Sequence, residues 1–168
     1  MIINVFRIKK DVGASQLFRF SVASLSAGTI TYTDLEISGE VLNNGAILEV
    51  TGQILGEARF VCGRCLEPYL AKVEIPFQED FKEGLPESDQ EADLSWYQGD
   101  SIDIAETVRE RLILDEPFKQ VCREECRGLC PVCGKNLNIE RCTCTTETVN
   151  PKFAILKQLL ESKSPTDS

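Results

Sequence analysis

Between Leu48 and Cys62 the chain alternates. Leu48, Val50, Gly52, Ile54, Gly56, Ala58, Phe60 and Cys62 fall on even positions, while the odd ones include Glu49, Thr51, Gln53, Glu57 and Arg59. A period of two puts successive side chains on opposite faces, so this run predicts a strand with one face toward a core. From Tyr69 the apolar positions become odd: Tyr69, Ala71, Val73, Ile75 and Phe77, against Lys72 and Glu74. The two runs are expected to pair antiparallel across the turn Gly63–Pro68. Upstream, Gln16–Val22 and Leu35–Val41 give shorter strands, and Asn43-Asn44-Gly45 supplies turn chemistry before the long one. Four or more such strands predict an antiparallel sheet or a small open barrel.

The periodicity then changes. Asp103 with Glu106 gives a cap-like start, and Ile104, Val108 and Leu112 recur at helical spacing until Pro117. Near the end, Asn150-Pro151 predicts a second helix start, with Phe153, Leu156, Leu159 and Leu160 on one apolar face. Both helices are expected to pack on the sheet.

Composition narrows the chemistry. The chain has 168 residues with 18 bases and 27 acids, a formal charge of −9. From Glu79 to Asp103 there are nine acids (Glu79, Asp80, Glu83, Glu87, Asp89, Glu91, Asp93, Asp100 and Asp103) against Lys82. That stretch reads as an acidic connector anchored by Trp96 and Tyr97. So negative a chain is a poor non-specific nucleic-acid binder, because counterion release needs clustered bases. The exception is Lys119–Arg141, where Lys119, Arg123, Arg127, Lys135 and Arg141 outnumber Glu124, Glu125 and Glu140. No apolar run approaches the roughly 18 residues of a spanning helix. Charge follows the short apolar start, the reverse of a secretory signal. The expectation is a soluble cytoplasmic protein with no membrane partner.

Histidine is absent and cysteine occurs eight times. The first fact removes Ser-His-Asp and Cys-His catalysis and every histidine-containing zinc site. The cysteines form four close pairs: Cys62/Cys65, Cys122/Cys126, Cys130/Cys133 and Cys142/Cys144. Tetrahedral zinc takes four thiolates at about 2.3 Å, commonly from two short-spaced pairs. Cys130-Pro131-Val132-Cys133-Gly134 has the form of a metal knuckle, and Cys142/Cys144 follows closely enough to complete a site. The remaining pairs, Cys62/Cys65 and Cys122/Cys126, then make a second tetrad that would tie the hairpin tip to the segment after the first helix; the competing arrangement is one mixed site with spare thiols. Two zinc ions are expected; iron suits four thiolates as well. Zinc at roughly 10–16 kcal/mol of apparent binding energy per site would be part of the fold. Closed four-thiolate sites leave no position for a reactive water. With no phosphate loop and no converging acids, the chain is expected to be no enzyme and to take no small-molecule substrate.

Taken together, these features predict an α+β fold: an antiparallel β domain over 1–80, an acidic connector over 81–102, and a helical, zinc-binding C-terminal half over 103–162 docked on the sheet. A disordered tail at 163–168 follows. The runs Cys62-Gly63-Arg64-Cys65-Leu66-Glu67-Pro68 and Cys126-Arg127-Gly128-Leu129-Cys130-Pro131-Val132-Cys133-Gly134-Lys135-Asn136-Leu137-Asn138 resemble the YceD family of bacterial proteins. Asn150-Pro151-Lys152-Phe153-Ala154-Ile155-Leu156-Lys157 looks like that family's closing helix, so the likeness covers roughly Glu36 to Leu160. The resemblance implies a non-enzymatic cytoplasmic factor that supports accumulation of the large-subunit ribosomal RNA. Its partner would be that RNA or an assembling ribosomal protein, met by Arg64, Lys119, Arg123, Arg127, Lys135 and Arg141. A zinc-stabilised protein adaptor and a thiol redox switch are the alternative readings.

Overall fold

A computed structural model describes residues 1–86 and 94–145. The helix expected at 150–160, the tail at 163–168 and the centre of the acidic connector lie outside the described residues. Seven strands come first: β1 (Ile2–Asn4), β2 (Ser15–Ala27), β3 (Ile30–Asn43), β4 (Leu48–Val61), β5 (Pro68–Glu83), β6 (Ser95–Tyr97) and β7 (Ser101–Asp103). One helix among the described residues, α1 (Ala105–Leu114), follows. The main sheet has the order β2-β3-β4-β5-β6, and β1 pairs with β7 in a separate two-stranded sheet. Strands β2 to β5 are antiparallel neighbours; β6 runs parallel to β5.

The alternation explains what is buried. Leu48, Val50, Ile54, Ala58 and Phe60 of β4 are all buried, as are Ile75, Phe77 and Phe81 of β5. Two inward slots hold glycine for a steric reason. Gly39 and Gly52 lie directly opposite each other, flanked in register by Phe18 and Phe77. A Cβ on Gly39 would stand 2.1 Å from Thr51 O and 2.8 Å from the Phe18 ring, and one on Gly52 would stand 2.7 Å from Ser38 O and 2.8 Å from the Phe77 ring. Close approach of the neighbouring backbone thus excludes a side chain at both positions, and the two rings, with centroids 6.5 Å apart, pack over them. Burying each ring contributes roughly 1.5–3 kcal/mol.

Local polar contacts close the ends. Asn43 Oδ1 accepts from Gly45 N at 2.8 Å and Asn44 Oδ1 from Ile47 N at 3.0 Å, which builds the expected turn into β4. In α1 the stripe Ile104, Val108 and Leu112 is fully buried. Asp103 Oδ1 accepts from Ala105 N at 2.9 Å, and Tyr32 Oη of β3 donates to Leu112 O at 2.9 Å near the other end. Lys9 Nζ reaches Glu83 at 3.0 Å and Asp100 at 2.8 Å, so part of the acidic stretch is neutralised internally. Those two carboxylates hold the Lys9 ammonium above its ordinary pKa.

The α+β expectation is overturned. The structure is mostly β, its sheet is mixed, and α1 is the single helix among the described residues. Residues 122–145, expected within a helical half, run as turns and irregular chain. Helix needs an uninterrupted ladder of backbone bonds. Pro131 removes a donor, and Gly128 and Gly134 take left-handed φ values of +72° and +71°. The described residues divide into two compact units, those within Met1–Gly63 and Glu67–Glu124, and Arg64–Leu66 with those from Glu125 to 145. The first carries the strands and α1. The second is organised, where described, around a bridge between Leu129 and Asn136.

Candidate metal centres

Two C-x-x-C turns repeat one backbone device. In the second, Gly134 N donates to Cys130 O at 2.9 Å and Cys130 N to Lys135 O at 2.8 Å, which curls the chain so that both sulfurs share a side. Gly134, just after the second cysteine, is left-handed at +71°. Leu66 occupies the equivalent place after Cys65 and is left-handed too, with φ +60°. A side chain in that region costs about 1–2 kcal/mol that glycine avoids. Cys62 N donates to Glu67 O at 2.9 Å and Gly63 N to Gln120 O at 2.7 Å around this turn.

The eight thiols form two groups: Cys62, Cys65, Cys122 and Cys126, and Cys130, Cys133, Cys142 and Cys144. Within each group the four sulfurs lie within 4.8 Å of one another. A regular tetrahedron with metal–sulfur distances of about 2.3 Å has sulfur–sulfur edges of about 3.8 Å, so small adjustments bring either group to that shape. Both groups can hold a metal ion, in the pairing that the spacing predicted. Their surroundings differ. Cys62, Cys65 and Cys126 are buried and Cys122 half-buried, whereas only Cys130 is buried in the second group and Cys133 is exposed.

Electrostatics in the second group suits a cation. Backbone N–H groups of Cys133 and Val132 point at Cys130 and hold its thiol down to about 6. Its bond to Cys133, followed by burial, pushes the Cys144 thiol up to about 12. Four thiolates this close repel one another, and a divalent cation removes that penalty.

Supporting side chains escaped the sequence reading. Asn138 Nδ2 donates to Cys126 Sγ at 3.3 Å, while its Oδ1 accepts from Arg127 N at 2.9 Å. Asn136 Oδ1 accepts from Asn138 Nδ2 at 2.9 Å, which orients that amide. Asparagines just past a Cys-Gly turn are the signal that could have marked them, since short amides bond local backbone and sulfur. The basic residues singled out are placed unevenly. Arg64 Nη1 donates to Cys126 O at 3.0 Å, and Lys135 Nζ pairs with Glu140 at 3.0 Å. Lys119, Arg123, Arg127 and Arg141 are exposed.

Residues 50–160 match the family described as large ribosomal RNA subunit accumulation protein YceD. The chain belongs to the YceD family. Relatives include an uncharacterised protein of Mycobacterium tuberculosis, 30% identical over 136 residues, which cover 79% of this chain and 64% of the relative. A chloroplastic YceD homologue of Zea mays, named for large ribosomal RNA subunit accumulation, is 28% identical over 155 residues, 74% of this chain and 53% of its own length. The chain thus spans less than two thirds of these relatives. No solved structure matches it. Among the described residues no helix is long and apolar enough to cross a membrane.

Proposed function

We propose that this YceD-family chain supports accumulation of the large-subunit ribosomal RNA in the cytoplasm as a binding factor rather than an enzyme. Each thiol group holds one zinc ion, and the partner is the ribosomal RNA or a ribosomal protein joining it. The observation that carries the reading is the pair of four-sulfur clusters in a chain without histidine. Zinc held by four thiolates supplies a cross-link and offers no open coordination position. Cys62, Cys65, Cys122 and Cys126 would hold one ion, and Cys130, Cys133, Cys142 and Cys144 the other. The backbone N–H groups at Val132 and Cys133 and the Asn138 amide stabilise the sulfur charge.

Two measurements test this. Elemental analysis of the purified chain should give two zinc per molecule; iron, or no metal in a folded protein, overturns the metal assignment. Cells lacking the chain should show a reduced ratio of large- to small-subunit ribosomal RNA, restored by the wild-type gene and not by Cys62→Ser. For direct RNA contact through the exposed arginines, Arg123→Ala with Arg127→Ala should weaken binding to that RNA and flatten its salt dependence.

A further inference from the structure

The second compact unit has almost no apolar interior. Between 125 and 145 only Cys126, Gly128 and Cys130 are buried. Leu129 and Leu137 are half-buried, Val132 is 64% exposed and Ile139 77%. No described residue beyond Leu112 joins the hydrophobic core. The backbone bonds that shape this stretch are local, such as Gly134 N to Cys130 O at 2.9 Å and Leu137 N to Gly128 O at 2.9 Å. So little buried surface does not repay the entropy of ordering a chain, and metal-bound sulfur has to stand in for a core. Three of the basic residues lie among the ligands: Arg127 follows Cys126, Lys135 is two places after Cys133, and Arg141 precedes Cys142.

The four sulfurs inside this unit are also the accessible ones. Cys133 is exposed, Cys142 and Cys144 are half-buried, and the side chains of Cys133 and Cys144 are hydrogen-bonded to each other. In the first cluster three sulfurs are buried, and Cys126 Sγ accepts from Asn138 Nδ2 at 3.3 Å. Oxidation selects sulfur by its thiolate character and its access to solvent. We propose that the second cluster is a peroxide-sensitive fastening: oxidation joins Cys133 to Cys144, the site loses its ion, and residues 127–145 loosen while the sheet stays folded. Cys133 Sγ attacks the O–O bond of hydrogen peroxide, gains one OH and expels hydroxide, which takes up a proton and leaves as water. The Cys144 thiolate then attacks that sulfur, the S–S bond forms, and a second hydroxide leaves as water. Two thiolates, one peroxide and two protons thus give one disulfide and two waters. The sulfurs of the cluster lie within 4.8 Å of one another, so a bond of about 2.0 Å needs a closure of less than about 3 Å. Losing two donors goes further than opening one, because the remaining pair no longer encloses a cation. The inference rests on the proposed function for the zinc ion and for the role of Arg127, Lys135 and Arg141, whose fixed placement oxidation would withdraw from the partner.

The test uses the full wild-type chain as purified with its metal, exposed to hydrogen peroxide without reductant. A zinc indicator should report release of one equivalent, with the other retained at the same dose. Mass spectrometry of peptides alkylated after denaturation should find Cys133 joined to Cys144, with Cys62, Cys65, Cys122 and Cys126 still reduced. Tryptic cleavage after Arg127, Lys135 and Arg141 should accelerate roughly tenfold or more, while circular dichroism and the main thermal transition hold. Dithiothreitol with added zinc should restore the starting cleavage rate. Release of both equivalents together, oxidation of the first cluster before the second, a disulfide between other residues, or unchanged cleavage after release each overturns the inference. If the chain carries two zinc and peroxide frees neither, the inference fails and the metal assignment stands. A folded chain that purifies without zinc fails both.

Discussion

The two cysteine clusters have the same ligands and different surroundings. One has three buried sulfurs and a half-buried fourth; the other has one buried sulfur and an exposed Cys133. A buried thiol can ionise only if a cation repays its lost hydration, so an ion in the first cluster is bound up with the folded state. A solvent-facing sulfur keeps part of its hydration and can open its coordination without unfolding anything. The same donor set can thus serve as a permanent fastening in one place and an exchangeable one in another.

The sharpest way to break this comparison is to remove one sulfur from each cluster. Cys62→Ser should leave little soluble folded protein, measured by yield and circular dichroism. Cys133→Ser should lose one metal equivalent and keep the main thermal transition. Equal damage from both would end the distinction. Next in size, Ile54→Ala in the sheet core should cost about 2–5 kcal/mol in urea unfolding, with the metal content unchanged. A strong chelator with a zinc indicator should then resolve two release phases, the faster one missing from Cys133→Ser; a single phase of two equivalents would mean the clusters are alike. Smallest is Leu66→Gly, which should stabilise the protein by about 1 kcal/mol by relieving the left-handed residue. Its side chain is 62% exposed, so little burial is lost.

Much of the sheet was legible in the sequence, but its length was not. The alternation over Leu48–Cys62 and Tyr69–Phe77 marks β4 and β5, because each buries one face and exposes the other. β3 reads short since its pairing shifts between Thr33 and Glu36, where Asp34 has φ +52°. That irregularity flips parity, so Ile30 and Tyr32 are buried before it and Leu35 and Ile37 after it. A search for unbroken alternation therefore begins only at Leu35. The cysteine pairing could be read because four close pairs and no histidine leave few ways to make a tetrad. The roles of Asn138 and Arg64 could not: each bonds an atom of Cys126, and for Arg64 that partner is 62 positions away. The expected helical half failed because apolar spacing says nothing about the backbone that sulfur ligands impose.

The row formed by Phe18, Gly39, Gly52 and Phe77 ties four neighbouring strands into one fit. A single methyl added at its middle meets the neighbouring strand's backbone before it meets a ring, 2.1 Å from Thr51 O at Gly39 and 2.7 Å from Ser38 O at Gly52, so a smaller residue at the rim does not make room for it. The two middle positions should therefore stay glycine through evolution whatever stands at positions 18 and 77.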